Sequence, residues 1–447
     1  MCKIVETKKQ FEGFLQLYEN SDVILQPILT HHKLHPKNNE LCAVFVRIID
    51  GDSYILPFNH DESLNNSIEL VKHFNSAGKI YTLNKKELNH TILMDNVIDV
   101  SLLYYINNNR PLDIEGLHTS SHNFIYQKYY NHKNLNRIIP LVKHIEYYSN
   151  IVGIMEGIIK KCNINEVFDI YNKVVIDNLS YIEDNGLCIN SSILPIEHKS
   201  HLDKDGLVYT EYNLYTSTGR PSNRFGGINF AALNKDDGSR KPFISRYGNG
   251  GMLVEYDYDA YHVRLIGDIV DYDLPDGSVH KYLGKYYGED DYDKCKGMTF
   301  KLLYGGIPKE IGDNIPFFGK VAKYIENKWK EYKRGFSVKS DIYNKEIRGK
   351  NLIGMNASKL FNYLIQLDET ETNMNAITRI RKYLEGKKTK LVLYSYDSFL
   401  FDYSIEDGKN ILKELKDVIE NNKFPTKIKV GKDYDSMVEA TEKINGL

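Results

Sequence analysis

Two apolar segments that each carry an aspartate constrain the fold of this chain most strongly. Asp257 directly follows the segment MLVEY, and Asp397 lies inside LVLYSYDSFLF. The first segment alternates as a strand does, and the second is typical of a strand–turn–strand hairpin with the aspartate near its tip. A carboxylate at the end of a buried strand is costly unless a cation or a hydrogen-bond donor compensates it.

Two carboxylates brought together from two strands would suit two Mg²⁺ ions. Such a pair of ions activates an attacking hydroxyl and stabilises the leaving oxygen in phosphoryl transfer. Taken alone, either aspartate is better explained as a turn cap or a surface residue. The surrounding motifs therefore decide between these interpretations.

Length and composition indicate a globular protein of two or three domains. The chain has 447 residues, of which 42% are hydrophobic and 26% charged, so extensive disorder is excluded. The formal charge is −2, and it does not indicate a nucleic-acid partner. Residues 294–350 nevertheless hold 14 Lys/Arg against 6 Asp/Glu. That excess fits either a face that meets phosphates or a solvated helical surface.

The five dispersed cysteines form no CxxC pair, which predicts reduced thiols in a cytoplasmic protein without a zinc site. No run of 18 apolar residues occurs, and the first residues lack the apolar core of a signal peptide. We therefore expect neither membrane association nor classical secretion. Abundant Lys, Asn and Ile suggest an AT-rich genome.

Changes in the spacing of apolar residues indicate where the domains of the chain begin and end. Short β-like runs fill residues 23–57, with helical patterns near 66–76 and 98–107, so we expect an α/β domain over residues 1–150. Helical spacing continues from 139 to 185, with Gly186 as a stop. Residues 151–205 are expected to connect this domain to a catalytic domain over 206–447.

Four blocks in the second half resemble those of family A DNA polymerases, the bacterial DNA polymerase I type, and they occur in the family's order. They are TSTGRPSNRFGGINF with SRKPFIS, then DYDAYHVR, then KGMTFKLLYG, and finally NYLIQ with the later YDS. Each block alone is a weak signal, but four in order are specific. The resemblance covers roughly residues 209–404.

The resemblance implies an α+β polymerase right hand. Its palm would be an antiparallel sheet formed by residues 206–264 and 351–447, with helical fingers at 265–350. The expected activity is template-directed extension of a primer 3′-hydroxyl by dNTPs, with two Mg²⁺ ions (Mn²⁺ as a substitute). The resemblance assigns Asp257 and Asp397 as metal ligands, with the backbone carbonyl of Tyr258 as a third.

The third block implies the nucleotide site. Lys296, Phe300 and Tyr304 recur every four residues and share one side of a helix. By resemblance, Lys296 meets the triphosphate and takes part in catalysis, Phe300 packs near the sugar, and Tyr304 stacks by the templating base. The following Gly305 is expected to let the chain turn. Without the resemblance, an amphipathic core helix would explain the same stripe.

The DNA primer-template duplex is the other partner that the resemblance implies. Its contacts would come from polar and basic residues in three of the blocks: Arg220, Asn229, Arg264, Asn362 and Gln366. Amides there can probe minor-groove acceptors, which vary little with sequence. Without the resemblance, a capping arginine and surface amides would explain these residues.

The sequence departs from the family at several positions. His262 replaces the glutamate that restricts ribonucleotides, which puts that discrimination in doubt. Tyr292 stands where the family has a phosphate-binding arginine, a function that Lys294 could take over. Tyr396 and Ser398 flank Asp397 in place of histidine and glutamate.

Residues 1–150 resemble the family's 3′–5′ exonuclease (RNase H-like) domain in layout alone. Ile28, Thr30 and Lys86 occupy the positions expected for acids, so we predict a degenerate domain that cannot hold its metal ions or proofread. About thirty residues separate Gly186 from Thr218, which leaves room for a greatly reduced thumb. Fewer phosphate contacts would make DNA binding more salt-sensitive, and a processivity factor or other replisome protein is a natural hypothesis.

Two alternatives remain open. A single-subunit RNA polymerase-like enzyme also has serine after its second aspartate, although the TGR block and Phe300 argue against it. A non-catalytic nucleic-acid-binding scaffold would fit the degenerate exonuclease domain, but it would not need both metal ligands. Compactness and composition suit a phage or another mobile element, whose polymerase would work in the host cytoplasm.

Overall fold

The computed structural model describes residues 2–31, 34–114, 135–194, 199, 201–225, 233, 237–348 and 354–447. These residues form two compact units. The first contains the described residues within 1–184, 195–211 and 225–228, and the second contains those within 185–194, 212–224 and 229–447. No helix in the described part of the chain is both long enough and apolar enough to cross a membrane.

The first unit is built on a mixed six-stranded sheet. Its strands are β1 (Cys2–Ile4), β2 (Val23–Leu29), β3 (Leu41–Ile48), β4 (Ser53–Pro57), β5 (Ile80–Thr82) and β6 (Val97–Asp99). They lie in the order β1-β4-β3-β2-β5-β6. The strand β3 is antiparallel to both neighbours, whereas β2, β5 and β6 are mutually parallel. The three strands predicted within residues 23–57 are confirmed.

Helices cover both faces of this sheet, so a central strand such as β2 is buried along its whole length. Apolar side chains including Phe11, Phe14 and Phe74 pack on one face. Others, including Ile151 and Met155, pack on the opposite face. The helices of the unit are α1 (Lys8–Tyr18), α2 (Lys85–Thr91), α3 (Val100–Asn108), α4 (Leu141–Lys161), α5 (Glu166–Ile170) and α6 (Ile176–Asn185).

Two details differ from the expected helices. The pattern at 66–76 forms a 3₁₀ helix, Ile68–Ser76, and a π turn at Tyr171–Val175 joins α5 to α6. The predicted stop is confirmed, because α6 ends at Asn185 and Gly186 follows with φ of 59°. A positive φ suits glycine, which has no Cβ to clash.

The first unit also extends further than predicted. The expected boundary at residue 150 lies inside α4, whose residues Ile151, Val152 and Met155 belong to the core against the sheet. The unit continues to Asp184. Residues 151–184, which we expected to be a connection, are therefore part of this unit, because their apolar face completes its core.

Short strands follow between residues 187 and 244. They are β7 (Leu187–Ile189), β8 (Leu207–Val208), β9 (Thr210–Asn213), β10 (Ser222–Phe225) and β11 (Phe243–Ile244). No α-helix occurs among the described residues between Leu187 and Thr218. The reduced thumb stays a prediction.

The second unit centres on an antiparallel sheet. Five strands lie in the order β15-β16-β12-β17-β18. Their bounds are β12 (Gly251–Tyr258), β15 (Lys390–Ser395), β16 (Ser398–Ser404), β17 (Thr426–Gly431) and β18 (Val438–Glu439). A separate hairpin pairs β13 (Ser337–Lys339) with β14 (Glu346–Arg348). The predicted hairpin around Asp397 is confirmed.

Helices surround and extend this sheet. They are α7 (Tyr261–Ile269), α8 (Val279–Tyr287), α9 (Tyr292–Gly305), α10 (Lys309–Asn314), α11 (Pro316–Gly335), α12 (Ala357–Tyr383), α13 (Asn410–Glu420) and α14 (Thr441–Asn445). A core formed by Val263, Leu283, Phe317, Phe361 and other residues joins helices α7 to α12. The predicted division of this unit into palm and fingers stays a prediction.

Candidate active site

The structure brings Asp257 and Asp397 to adjacent strands. Asp257 lies near the end of β12, opposite Ser398, the first residue of β16. Asp397 precedes Ser398 in the tight turn between β15 and β16, and its carbonyl accepts a hydrogen bond of 3.0 Å from the Tyr258 amide. The two acids are therefore held by sheet pairing, which fixes the backbone that carries them.

The Asp397 carboxyl group lies in an environment that disfavours its charge. Although the residue is exposed at the hairpin tip, desolvation by the surrounding protein raises its pKa, and the negative charge of Glu369 raises it further. A bound cation would lower the pKa of Asp397 again, because it stabilises the charged carboxylate. Carboxylates and a backbone carbonyl are ligands that hard divalent cations prefer, so Asp257, Asp397 and the Tyr258 carbonyl could hold such a cation.

A third acid, Asp259, follows in the same block and is already paired. Its carboxylate lies 2.6 Å from the Lys427 ammonium. This hydrogen bond is the main cause of the raised pKa of Lys427. This ion pair neutralises the charge of Asp259.

Arg264 is buried on α7 and forms hydrogen bonds to backbone carbonyl groups. Its guanidinium donates to the carbonyl oxygens of Gly277, at 2.9 Å, and Pro275, at 3.4 Å. The structure thus shows Arg264 bracing the loop that follows α7. The contact with primer that the resemblance implies stays a prediction.

The predicted stripe on α9 is present. Phe300 and Tyr304 stack with 5.9 Å between ring centroids and 11° between planes. Lys296 is exposed one turn earlier, and its positive charge contributes, after burial, to lowering the pKa of His280 to about 4. The helix ends at Gly305, and it is Gly306 that takes the left-handed φ of 112°. The turn predicted at Gly305 therefore lies one residue later.

Lys294, which could replace the family's phosphate-binding arginine, is also exposed on α9. Its ammonium lies 3.6 Å from a Glu289 carboxylate oxygen. This exposed pair is weak in water, so Lys294 can exchange Glu289 for another anion.

His262 takes part in a hydrogen-bonded network that links several blocks. Its Nδ1 lies 2.6 Å from the Tyr304 hydroxyl, and its Nε2 lies 3.3 Å from a Glu369 carboxylate oxygen. A neutral imidazole protonated on Nε2 satisfies both, accepting from Tyr304 and donating to Glu369. Burial raises the pKa of Tyr304, with the Glu369 charge as the second cause.

Arg220 completes the network from the TGR block. Its guanidinium lies 3.1 Å from one Glu369 carboxylate oxygen and 3.7 Å above the centre of the Tyr396 ring. Tyr396 immediately precedes Asp397. Residues of all four blocks therefore converge beside the two acids.

Glu369 is fully buried at the centre of this network and was not among the residues predicted from the sequence. A signal was available, because Asn362, Gln366, Glu369 and Asn373 follow the i, i+4, i+7, i+11 spacing of one helix face. Asn373 extends the network, since its amide donates to the Tyr396 carbonyl at 2.6 Å and its Oδ1 accepts from the Tyr261 hydroxyl at 2.8 Å.

The predicted amides of the fourth block lie at the start of α12. Gln366 donates to Asn362 Oδ1 at 3.1 Å, and both side chains are half-buried. Asn362 also lines an open cavity of about 550 Å³, together with Tyr304, Gly305, Asn356, Ser358 and Lys359. Tyr304 and Asn362 therefore line the same open cavity. Asn229, the remaining predicted contact, lies outside the described residues.

Both turns beside the acids contain unusual backbone. Ala260, which precedes α7, has φ of 52°, and Tyr396 has φ of 58°. Residues other than glycine rarely adopt this left-handed backbone conformation, because each one that does costs about 1–3 kcal/mol. Strain at both positions indicates that the geometry next to the acids is held by the surrounding contacts.

The arrangement as a whole combines two carboxylates for a divalent cation with exposed lysines and stacked aromatic rings. Such a set can bind a phosphorylated molecule that has a planar ring, and it can stabilise charge during phosphoryl transfer.

No family model matches this chain. In an alignment of 306 residues that covers 54% of this chain, the chain is 20% identical to a DNA polymerase of Bacillus phage SP01. It spans 33% of that relative, about a third of its length.

A solved structure is similar over almost the entire chain. It is the POL domain of Pol1 from M. smegmatis, in complex with DNA primer-template and dNTP. The TM-score is 0.69 at 12% sequence identity, and the match covers 97% of this chain and 100% of that one. The chain therefore has the α+β polymerase-domain fold that its motifs predicted, and it resembles family A DNA polymerases in both fold and motif order.

Proposed function

We propose that this protein is a template-directed DNA polymerase, which extends a primer 3′-hydroxyl with dNTPs and releases pyrophosphate. The observation that carries the proposal is the convergence of residues from all four blocks on Asp257 and Asp397. The similar POL domain, solved with DNA primer-template and dNTP, supports it. So does the phage relative, which is named as a DNA polymerase.

In this proposal, Asp257 and Asp397 hold the catalytic metal ions, with the Tyr258 carbonyl as a further ligand. The ions, two Mg²⁺ with Mn²⁺ as a substitute, supply positive charge that activates the primer hydroxyl and offsets charge on the phosphates. The raised pKa of Asp397 fits this assignment, because a carboxyl group crowded by protein and by Glu369 gains most from a nearby cation.

The exposed side of α9 binds the incoming nucleotide. Lys296 pairs with the triphosphate, and Lys294 supplies a second cation once it leaves Glu289. Phe300 packs against the sugar, and Tyr304 stacks by the templating base at the cavity that it shares with Asn362. Holding these groups in place lowers the entropy cost of bringing the hydroxyl to the α-phosphate.

His262 restricts ribonucleotides in place of the family's glutamate. The ring is bulky, and its bonds to Tyr304 and Glu369 fix its orientation beside the Tyr304 ring, which stacks on Phe300. A fixed ring excludes a 2′-hydroxyl better than a mobile ring does, because it cannot rotate away.

The remaining polar residues position the primer-template duplex. Asn362 and Gln366 probe minor-groove acceptors that every correct base pair shares. Arg220 is bonded to Glu369 and Arg264 to loop carbonyls, so both act on the duplex largely by ordering their surroundings. Asn229 is included on the resemblance alone.

We also propose that the enzyme does not proofread and depends on other proteins for long synthesis. Ile28 and Thr30 are buried on β2 and at its end, and Lys86 is paired with Glu183, so none of the three can hold a metal ion. A short thumb would weaken DNA binding as salt rises, and a processivity factor or another replisome protein would compensate. The enzyme would act in the cytoplasm, or in the host cytoplasm if it is phage-encoded.

The decisive experiment is extension of a 5′-labelled primer on a DNA template with Mg²⁺, in separate dNTP and rNTP reactions. We expect template-dependent addition of dNTPs that Asp257→Ala abolishes, with no shortening of the primer when nucleotides are absent. The variant should keep its circular dichroism spectrum and its duplex binding.

Other outcomes would contradict the proposal in distinct ways. Equal or preferred use of rNTPs would favour the RNA polymerase-like alternative. Duplex binding without addition of either nucleotide would favour the scaffold. Full activity of Asp257→Ala would remove the metal-ligand assignment.

A further inference from the structure

A cavity in the first unit is lined by none of the residues assigned to the polymerase site. Its volume is about 440 Å³, and its lining includes Leu29, His31, Thr82 and Leu83. These residues end the parallel strands β2 and β5 or follow them within two residues. The carboxyl end of parallel strands is where open α/β sheets generally bind ligands.

Three potential metal ligands converge on this cavity. His35 lies in the loop before a short 3₁₀ turn, His90 lies on α2 and Glu183 lies on α6. Each offers one ligating atom, and these atoms all lie within 4.8 Å of one another. His90 Nε2 is 2.6 Å from Glu183 Oε2, and the two imidazole rings have centroids 4.9 Å apart.

The surrounding contacts orient these three side chains. His90 Nδ1 lies 2.8 Å from an Asp184 carboxylate oxygen, which leaves Nε2 directed at Glu183. The Lys86 ammonium lies 2.5 Å from the other Glu183 oxygen, Oε1. The His35 ring stacks on Tyr209 with 5.3 Å between centroids. Its Nδ1 accepts from the Lys37 amide at 3.2 Å. Because the lone pair of this tautomer is on Nδ1, a cation bound by His35 would displace the Lys37 amide.

A carboxylate behind a ligating histidine is the arrangement that usually fixes the ring in metal sites. The local charges also permit a cation. Lys86 and Lys37 are opposed by Glu183 and Asp184, with which they pair. The carboxyl groups of Glu87 and Glu211 line the same cavity.

We propose that His35, His90 and Glu183 form a zinc site with one coordination position open to the cavity. Two imidazole nitrogens and one carboxylate oxygen are a donor set that zinc takes when it keeps a fourth position for water or another ligand. Imidazole ligands favour zinc over Mg²⁺, which prefers oxygen ligands. The ion would replace the proton between His90 and Glu183.

This site uses none of the degenerate exonuclease positions as a ligand, since Ile28 and Thr30 do not contribute to it and Lys86 only pairs with Glu183. It departs from the expectation drawn from the cysteines, because its three ligands include no cysteine. The proposal does not depend on polymerase activity.

The test is direct zinc binding by the full-length chain. Metal-stripped protein is titrated with Zn²⁺ in competition with a chromophoric chelator, and the stoichiometry is read from the chelator absorbance. We expect one tightly bound Zn²⁺ per chain, and the same in Asp257→Asn, which excludes binding by the polymerase acids. Loading with Co²⁺ should give the strong visible absorption of a four-coordinate site.

Variants distinguish the three ligands from other histidines of the cavity. His90→Ala and His35→Gln should each weaken zinc binding at least about a hundredfold, whereas His201→Ala, which removes another cavity histidine, should not. His35→Gln matters most, because His90 also pairs with two acids and its loss could unfold the unit. Circular dichroism of the metal-free variants checks their folding.

Two results would overturn the proposal. One is wild-type protein that binds no Zn²⁺ more tightly than folded His35→Gln does. The other is Zn²⁺ binding that Asp257→Asn abolishes. Either result would leave the cluster as a buried network of charged side chains, and the polymerase proposal would be unaffected.

Discussion

The sheets of the two units differ in what stands at their strand ends. In the first unit, β2 carries Ile28 in the core, with Thr30 just beyond it, and both are buried. In the second, β12 and the β15–β16 turn carry Asp257 and Asp397, and the pKa of Asp397 is raised by its surroundings. Apolar burial accounts for the core of both sheets, whereas Asp397 lies where the surrounding protein disfavours its charge.

This difference separates fold from chemistry within a single chain. A strand that carries an apolar residue such as Ile28 near its end loses no packing, so the first sheet persists as a framework without a metal site at those positions. A sheet that retains closely spaced acids is under a constraint that packing does not explain. The predictions below test whether that constraint is catalytic.

The largest effect should follow from removing either acid of the second sheet. Asp257→Asn and Asp397→Asn each lose a ligand for the catalytic cations, which supply several kcal/mol. We expect primer extension to fall more than about a thousandfold. Single-turnover kinetics measure this loss, and Asp417→Asn, an exposed acid of α13, is the matched control. A loss below tenfold in both variants would contradict the interpretation that the second sheet keeps its two acids for catalysis.

Lys296→Ala should have the next largest effect. A contact between a cation and phosphate contributes about 1.5–3 kcal/mol, so kcat/KM for dNTP should fall roughly 10- to 150-fold. Steady-state kinetics at varied dNTP measure this change. Lys301→Ala changes a neighbouring exposed lysine of α9 and should be nearly neutral, and Lys294→Ala should lie between the two. An unchanged kcat/KM for Lys296→Ala would contradict the assigned nucleotide face.

Glu369→Gln should reduce sugar discrimination more than activity. The neutral amide holds His262 and Arg220 less firmly, so the preference for dNTP over rNTP should fall by about 5- to 20-fold, or 1–2 kcal/mol. The ratio of the two kcat/KM values reports this directly, and general structural damage would lower both values together. Glu371→Gln, another buried acid of α12, is the control. A preserved ratio would show that Glu369 is purely structural.

The smallest effect concerns stability in the first unit. Burial raises the pKa of Glu87 to about 7 from its usual value near 4.5, with Glu211 as a further cause. Between these two pH values the unfolded chain loses its proton before the folded chain does, so stability falls as pH rises. The full loss is present above pH 7, and none is present below about 4.5.

Glu87→Gln removes this loss. We expect its Tm to exceed that of wild type by roughly 2–6 °C at pH 8 and to match it at pH 4. Thermal melts at the two pH values measure the difference, with the exposed Glu62→Gln as a control. Equal Tm values at pH 8 would show that the Glu87 carboxyl group is well solvated.

Much of this arrangement could be predicted from the sequence, because the relevant signals are local. Strong alternation and short apolar runs placed β2, β3, β4 and the β15–β16 hairpin, and i, i+4 spacing placed the α9 stripe. Glu369 was missed because α12 is buried on several sides, so its one functional face does not stand out. The boundary at Asp184 was also missed, since it depends on which sheet α4 covers.

The strained turns at Ala260 and Tyr396 have a consequence for engineering heat resistance. At most sites, replacing a side chain by glycine loosens a protein, because the unfolded chain gains freedom. Ala260→Gly should instead relieve an unfavourable backbone conformation, so its thermal stability should hold or rise. An accompanying drop in primer extension would show that the strained turn at Ala260 lowers thermal stability in exchange for the position of Asp257.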